Sequence, residues 1–343
     1  GSEMCIRDSD RTSMKLPKCQ DRLIEEVLKV QPNVVVVLHN GSPVELPWAD
    51  RVSAILEMYL GGQGVGEACD WLLFGEANPS GRLAETFPYR LEDNPSFLHF
   101  PGNEKRVLYG EDIFVGYRYY DTKKVPVRYA FGHGLSYTEF TYGDLTLSSA
   151  QMTDEDILTV SLKVKNSGKT EGKEVVQLYV ADLCGTPERP VKELKGFAKV
   201  HLLPGEEKTV SMEISARNLS YYEERLGDWY APSGTYRILI GHASDDIRLH
   251  ADIVFKTKKK LPLRVDFTTT FGELLDHTKT APVITELLAP LAAAAASAEG
   301  MSDEYKKLGE QVIREMPLKF LLGQMPGEQV EQLIGQLNCL LAQ

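Results

Sequence analysis

Cysteine is scarce in this sequence, and the few cysteines show no useful spacing. Five occur in 343 residues, and none forms a Cys-x-x-Cys pair. Structural zinc sites and thiol redox motifs need closely spaced cysteines, so neither is predicted. An odd number of scattered thiols fits isolated, reduced cysteines, which favours a cytoplasmic, bacterial protein. The five are Cys5, Cys19, Cys69, Cys184 and Cys339.

Long apolar runs and excess positive charge are also missing. The longest apolar candidate, Leu287 to Ala298, is short and alanine-rich, whereas a membrane-spanning helix needs about 20 apolar residues. The formal net charge is -11, which repels a phosphate backbone. We therefore expect neither a membrane nor a nucleic acid as partner, and a neutral substrate is compatible with the charge. The length suggests two or three domains.

The first part of the chain alternates helical and strand patterns. Residues 1–9 show no periodicity and are interpreted as a foreign, disordered tag or junction. An apolar stripe predicts a helix from Leu16. The β-branched run Val34–Leu38 is typical of a central strand of a parallel sheet, apolar on both faces. Ala54–Leu60 is a second strand candidate and Glu67–Phe74 a second helix, so a doubly covered α/β layer is expected.

From Asp144 the apolar period changes to two. Short alternating segments separated by turn residues predict a β-sandwich. After the basic run Lys256–Lys260 the pattern becomes helical, and the last amphipathic helix either completes a domain core or forms a dimer contact. The alternating residues include Leu158, Val160, Leu162 and Val164, then Val176, Leu178 and Val180, then Val210, Met212 and Ile214, and then Tyr236, Ile238 and Ile240.

The segment between the two patterns, Asn94 to Tyr129, is irregular and rich in aromatic residues. Such a segment is either a functional loop or the packing of a domain junction, and both interpretations stay open. It carries the carboxylates Glu111 and Asp112. Carboxylates beside aromatic rings are suited to sugar recognition, whereas a solvated loop explains each of them equally simply.

Two local patterns favour no chemistry on their own. The glycine cluster Gly61–Gly66 lacks both the Gly-x-Gly-x-x-Gly spacing and a Walker lysine, so a tight strand-to-helix turn is favoured over nucleotide binding. The segment around Ser136 lacks the closing glycine of a nucleophile elbow.

Several short segments in the first part of the chain form a recognisable series. They are Asn33–Glu45, Tyr59–Gly64, Leu73–Leu83, Thr86–Pro88, Gly116–Asp121 and Phe131–Tyr137. Each is a weak signal alone, but their order and length make the set specific. Together they resemble glycoside hydrolase family 3, and residues 189–206 resemble the fibronectin type III-like domain of the same enzymes.

The resemblance implies a multidomain protein of α/β and all-β parts. An N-terminally truncated α/β sandwich is expected over residues 10–140, and a fibronectin type III-like β-sandwich over residues 141–256. A helical C-terminal extension is expected over residues 257–343. The family's (β/α)8 barrel, which carries the nucleophile, would lie upstream.

The activity implied by the resemblance is retaining hydrolysis of terminal β-D-glucosidic or β-xylosidic bonds, with no metal or organic cofactor. The family's acid/base loop reads Glu-Gly-aromatic-Asp-Arg. This sequence keeps Asp10 and Arg11, but Arg7 stands in place of the glutamate, and Asp8 is one residue out of position. No catalytic residue is therefore carried over, and the chain is expected to be inactive alone.

Four residues are predicted to line the wall of the sugar pocket: Asp10, Arg11, Gln63 and Tyr117. The structural alternatives are, in order, a helix cap, a salt bridge, a turn amide and core packing. A competing hypothesis makes the chain a non-catalytic carbohydrate-binding or assembly module, with the sandwich and the helical tail as interaction surfaces. A homodimer through the last helix is a separate alternative to packing of that helix within the chain.

Overall fold

A computed structural model describes residues 13–102, 106–186, 188–296 and 303–342. The chain divides into two compact units. The first runs to Tyr221 and includes Trp229–Lys258, and the second comprises Tyr222–Asp228 and Lys259–Gln343. The first unit contains an α/β region, residues 13–139, followed by a β-sandwich.

The α/β region is built around a short parallel strand pair. The first pair of strands aligns Val35 with Ala54 and Leu38 with Glu57. Its core consists of Leu38, Val44, Leu46, Trp48 and Phe87. Its elements are α1 (Lys18–Leu28), β1 (Val35–Leu38), β2 (Ala54–Glu57), α2 (Val65–Phe74), β3 (Phe87–Pro88), α3 (Tyr117–Lys123) and β4 (Val127–Tyr129), with a 3-10 turn at Leu91–Asp93.

The parallel pairing of β1 was predicted, but its burial on both faces is not seen in the residues that the structure describes. Val35 is 49% exposed, and neither α1 nor α2 contains a buried residue. The predicted stripe of α1 contributes Ile24 to the core, whereas Leu23 and Val30 are exposed. The described structure therefore covers this layer only in part.

The β-sandwich consists of a three-stranded and a five-stranded sheet. The strand orders are β10-β7-β5 and β6-β14-β13-β8-β9. All the pairings are antiparallel except that of β6 with β14. The strands are β5 (Phe140–Leu147), β6 (Gln151–Thr153), β7 (Ile157–Asn166), β8 (Gly172–Asp182), β9 (Glu193–Leu202), β10 (Glu207–Ser215), β13 (Gly234–Gly241) and β14 (Ile247–Lys256). Between β10 and β13 lie α4 (Ala216–Leu219), β11 (Tyr221–Glu223) and β12 (Asp228–Tyr230).

The alternating residues predicted from the sequence form the core of this sandwich. Every one of the thirteen positions named above for the first four segments lies in the same buried cluster, which Phe255 also joins. Alternation places one side of each strand inward. The period of two in the sequence therefore predicted both the strands and the face of each strand that is buried.

The second unit is helical. Thr270 and Glu273 form a capping box at the start of its first helix. The side-chain amide of Asn338 hydrogen-bonds both the N–H and the carbonyl of Val265, at 2.9 and 2.8 Å. Its helices are α5 (Phe271–Asp276), α6 (Ala281–Ala296), α7 (Asp303–Glu315) and α8 (Gly327–Ala342), with a 3-10 turn at Leu318–Gly323.

The last amphipathic helix, α8, packs within its own unit. Val330 and Leu337 are fully buried in a core shared with Val265, Phe271 and Leu318. Packing within the chain thus uses the apolar face of α8, and the dimer contact stays a prediction.

Candidate functional site

The glycine-rich turn carries Gln63, one of the predicted wall residues. Gly62 has a φ of 68° and α2 begins at Val65, so the cluster forms the strand-to-helix turn favoured over a nucleotide loop. Gln63 is exposed on that turn. Asp10 and Arg11 lie outside the described residues, and the wall they were predicted to form stays a prediction.

Tyr117, the fourth predicted wall residue, lies at the junction between the α/β region and the sandwich. Its ring stacks on Phe131 with centroids 4.7 Å apart and meets Tyr179 of β8 edge-on at 5.9 Å. Its hydroxyl accepts a hydrogen bond from the Leu194 N–H at 2.7 Å. These contacts hold α3 against strands β8 and β9. They give the ring a packing role, and its predicted place in the wall of the sugar pocket stays a prediction.

A buried network of charged and polar side chains joins the α/β region to the sandwich at the same junction. Glu174 of β8 lies at the centre of this network. Its carboxylate accepts hydrogen bonds from Arg82 at 2.7 Å, Tyr142 at 2.6 Å and His242 at 2.7 Å. The other ring nitrogen of His242 faces the Gly134 carbonyl at 2.8 Å. Arg82 and Gly134 belong to the α/β region, so the network joins the two parts of the first unit.

Electrostatics keep the Glu174 carboxyl group ionised. Burial alone would raise the pKa of Glu174, but hydrogen bonds from His242 and Tyr142 and the charge of Arg82 outweigh it and lower that pKa. Burial lowers the pKa of nearby His133, which favours the neutral ring. Acid therefore opposes the folded junction at both groups.

A cavity of about 330 Å³ lies in the α/β region. It is formed where the N-terminal segment, the loop after β1, strand β3 and the aromatic segment meet. Its lining residues are Ser13, Met14, Ser42, Pro43, Glu85, Thr86, Pro88, Leu91, Asn94, Pro95, Ser96, Glu111, Val115, Gly116 and Tyr120.

The polar side chains among the lining residues carry carboxyl groups, hydroxyl groups and the amide of Asn94. Burial raises the pKa of Glu85, against a smaller opposite effect of the Tyr59 hydroxyl. Thr86 is only 6% exposed, and its hydroxyl has no hydrogen-bond partner. One carboxylate oxygen of Glu111 is buried and also without a partner. Hydroxyl-rich molecules satisfy groups of this kind by donating and accepting hydrogen bonds.

The described residues contain no group of three or more His, Cys, Asp or Glu side chains placed to hold a metal ion. None of the helices in the described ranges is both long enough and apolar enough to cross a membrane.

Sequence reasoning singled out Glu111 but missed Glu85, Glu174 and His242 as site or junction residues. Glu174 left a signal, because it shares the inward parity of Val176 in β8, where an acid is costly unless paired. Glu85 left none, since partly buried and solvated carboxylates look alike in a sequence.

Comparison with known proteins places these features in a family. Residues 2–137 match the profile described as "Glycosyl hydrolase family 3 C-terminal domain", and residues 174–244 match "Fibronectin type III-like domain". The first match begins within residues 1–9, whose foreign origin stays a prediction, as do the exact domain boundaries.

Curated relatives include the "Thermostable beta-glucosidase B" of Acetivibrio thermocellus. It is 46% identical over 333 residues, which is 96% of this chain and 44% of the relative. The "Beta-glucosidase" of Kluyveromyces marxianus is 46% identical over 74% of this chain and 29% of its own length. The chain thus spans less than half the length of these relatives.

Solved structures agree in fold. A Bifidobacterium adolescentis GH3 β-glucosidase covers 80% of this chain with a TM-score of 0.74 at 38% identity, and 40% of that chain is matched. The Kluyveromyces marxianus β-glucosidase in complex with glucose covers 72% with a TM-score of 0.68 at 43% identity, and 30% of that chain is matched. This chain belongs to glycoside hydrolase family 3 and corresponds to the C-terminal part of its β-glucosidases.

Proposed function

We propose that this chain is the C-terminal portion of a retaining β-glucosidase that hydrolyses terminal β-D-glucosidic, or β-xylosidic, bonds together with an upstream barrel. The observation that carries the proposal is the 46% identity over 96% of the chain to a protein named as a β-glucosidase. The chain matches only 44% of that relative, so the remaining residues would supply the barrel.

Retaining hydrolysis needs two carboxyl groups on opposite sides of one sugar. One attacks the anomeric carbon, and the other protonates the departing oxygen and then deprotonates water. In this proposal the barrel supplies the nucleophile. The acid/base position falls at Arg7, which cannot give up its proton at any working pH. The chain as written is therefore inactive alone.

What this chain contributes is a surface and a rigid support. The surface is formed by apolar side chains that the α/β region leaves exposed, among them Val35 of β1, which is half exposed, and Phe74 of α2, which is 79% exposed. Apolar side chains exposed together mark interaction surfaces. The support is the junction around Glu174 and Tyr117, which fixes the α/β region against the sandwich. We propose that the rest of the longer protein packs on this surface.

The test separates the barrel from the acid/base position. Four proteins are compared on an aryl β-glucoside. They are this chain, this chain with Arg7→Glu, and each of the two joined to the N-terminal remainder of the Acetivibrio relative. We expect turnover only from the joined proteins, and full turnover only with Arg7→Glu.

The joined protein that keeps Arg7 has a specific signature. A good aryl leaving group departs without an acid, so this protein should form the glycosyl-enzyme but hydrolyse it slowly. Azide, a nucleophile that needs no general base, should then accelerate turnover and yield the β-glycosyl azide. The joined protein with Arg7→Glu should show no such acceleration by azide.

Either of two results overturns the proposal. Turnover by the chain alone would mean that it holds its own catalytic pair. Sugar binding by the chain with no turnover in any joined protein would favour the non-catalytic module.

A further inference from the structure

The helical unit begins with a stretch of chain that has no regular structure. Residues 257–266 form neither helix nor strand, and they directly follow β14. Residues 260–263, called the linker from here on, lie inside this stretch. They make no hydrogen bond within the described part of the chain. Proteases cleave backbone that is not held in secondary structure, so the linker has the conformational freedom that cleavage requires.

The chain is fixed on both sides of the linker by hydrogen bonds that lie outside it. The Asp154 carboxylate accepts the N–H of Lys258 at 2.6 Å and the hydroxyl of Thr257 at 3.0 Å, within the first unit. Within the second unit, the side-chain amide of Asn338 holds the N–H and the carbonyl of Val265. A break in the linker therefore removes none of these bonds.

Each unit also has a core that excludes the other. The sandwich core is formed by residues 140–255, and the helical core by residues 263–341. Domains of about 60 residues often fold alone, and the helical unit, with Lys259–Gln343, is longer. The two family profiles end at residues 137 and 244, so neither reaches this unit. The helical unit therefore has the properties of a separate folding module.

The linker begins with a lysine that a protease can recognise. Lys258 pairs with Glu155 at 3.0 Å and Lys259 with Asp228 at 2.7 Å. Lys260 is exposed, and it forms no ion pair with any residue that the structure describes. Endopeptidases of the trypsin type bind a basic side chain through a carboxylate in their specificity pocket. The side chain and the backbone of the linker thus suit the same class of enzyme.

We propose that the linker is a proteolytic processing site, at which a trypsin-like endopeptidase hydrolyses the Lys260–Leu261 bond while both units stay folded. Hydrolysis adds one water molecule across the peptide bond, which leaves a carboxylate on Lys260 and an ammonium group on Leu261. Cleavage divides residues 1–260, which contain both family profiles, from the rest of the helical unit. The inference does not depend on the proposed glycosidase activity.

The test is a brief digestion of the full chain with trypsin, followed by mass spectrometry of the fragments. We expect the fragment of residues 261–343 to appear while the bonds after Lys163 and Lys208 are intact. Both of these lysines have side chains about as exposed as that of Lys259, but their backbones are paired between β7 and β10. Their bonds become cleavable only when the sandwich opens.

Two double variants show where the fragment is cut. Lys259→Gln with Lys260→Gln should slow its appearance by about tenfold or more, because trypsin requires a basic side chain at the cleaved bond. Lys163→Gln with Lys208→Gln is the matched control and should leave the rate unchanged. Hydrogen exchange of the cleaved wild-type protein should show unchanged protection of the amides in β7, β13 and α8.

Three results would overturn the proposal. An unchanged rate in the linker variant would mean that the fragment arises from a cut elsewhere. Equally fast cleavage after the strand lysines would mean that the chain opens as a whole and not at the linker. Lost protection in either unit after cleavage would mean that this unit needs the continuous chain. None of these results bears on turnover in the joined proteins, so the two proposals are tested separately.

Discussion

The sandwich and the α/β region of the same unit differ in how completely they bury their apolar residues. In the sandwich every inward position of β7, from Leu158 to Val164, is buried. In the α/β region β1 begins with the half-exposed Val35, and neither α1 nor α2 contains a fully buried residue. Antiparallel sheets are stable with one face in water, whereas parallel sheets are normally covered on both faces.

This difference teaches that the two regions depend on their surroundings to different extents. The sandwich buries its apolar core between its own two sheets. The α/β region exposes the residues that a parallel layer should bury, and it also contains the unsatisfied Thr86 and Glu111. Substitutions in each region measure how far the stability of that region depends on its own contacts.

The largest difference is expected between two phenylalanines. Phe255 is fully buried in the sandwich and Phe74 is 79% exposed on α2. Phe255→Ala should cost about 4 kcal/mol of unfolding free energy, because it removes a large side chain and leaves a cavity. Phe74→Ala should change it by less than about 0.5 kcal/mol. Urea denaturation, monitored by the hydrogen exchange of amides in the sandwich, measures both losses of unfolding free energy. Comparable losses at the two positions would contradict the difference between the two regions.

The second effect concerns the junction that joins the two regions. Arg82→Leu leaves the fully buried Glu174 carboxylate without its cation, so we expect a loss of about 3 kcal/mol. Arg237→Leu, which breaks the exposed pair with Asp252, should cost less than about 1 kcal/mol. Thermal unfolding of both variants tests this. Equal effects would mean that the junction contributes no more than a surface ion pair.

Much of the fold was predictable, and the reason differs between the regions. In the sandwich the period of two fixes both strand and buried face, so Val160 and Ile238 were placed correctly from the pattern alone. In the α/β region the pattern predicted β1 and its parallel pairing but not its burial, because burial is set by what packs on a strand and not by the strand's own residues. Glu174 and His242 were missed because their partnership joins residues 68 positions apart. The cavity was missed because it depends on four segments meeting in space.

The third prediction compares two glycines with positive φ. One lies at the junction between the two regions, and the other lies at the end of α2. Gly132 has a φ of 83°, and a Cβ there would clash with the Gln177 side-chain oxygen, across the junction. Gly75 ends α2 with a φ of 81°, and nothing lies near its Cβ position. Gly75→Ala should cost about 1 kcal/mol from the left-handed backbone alone. Gly132→Ala should cost about 2 kcal/mol, because the clash adds to the same strain.

Chemical denaturation of the two glycine variants gives the difference directly. Since the backbone conformation is nearly the same, the excess cost at Gly132 measures how tightly the two regions are packed together. Equal costs would show that Gln177 gives way and that the junction is loose at this point.

The smallest expected effect is a slope of stability against pH, and it arises at the junction. His133 has its pKa lowered by burial, so below about pH 6.5 the unfolded chain binds a proton that the folded chain does not. Stability should therefore fall as the pH falls from about 6.5 toward the folded pKa of His133. The pKa of Glu174 is lowered by its partners, so this group stabilises the fold above pH 4.5, its pKa in the unfolded chain. That stability is lost as the pH falls through the folded pKa of Glu174.

Two variants separate these contributions. His133→Phe keeps a ring beside Tyr129 and should flatten the slope only in the upper pH window, whereas Glu174→Gln should flatten it only in the lower window. Unfolding free energies measured from pH 7 down to about pH 3, with the exposed His250→Phe variant as reference, separate the two windows. Slopes unchanged in both variants would mean that acid acts on the α/β region itself, through its uncovered face, and not through the contacts that hold it to the sandwich.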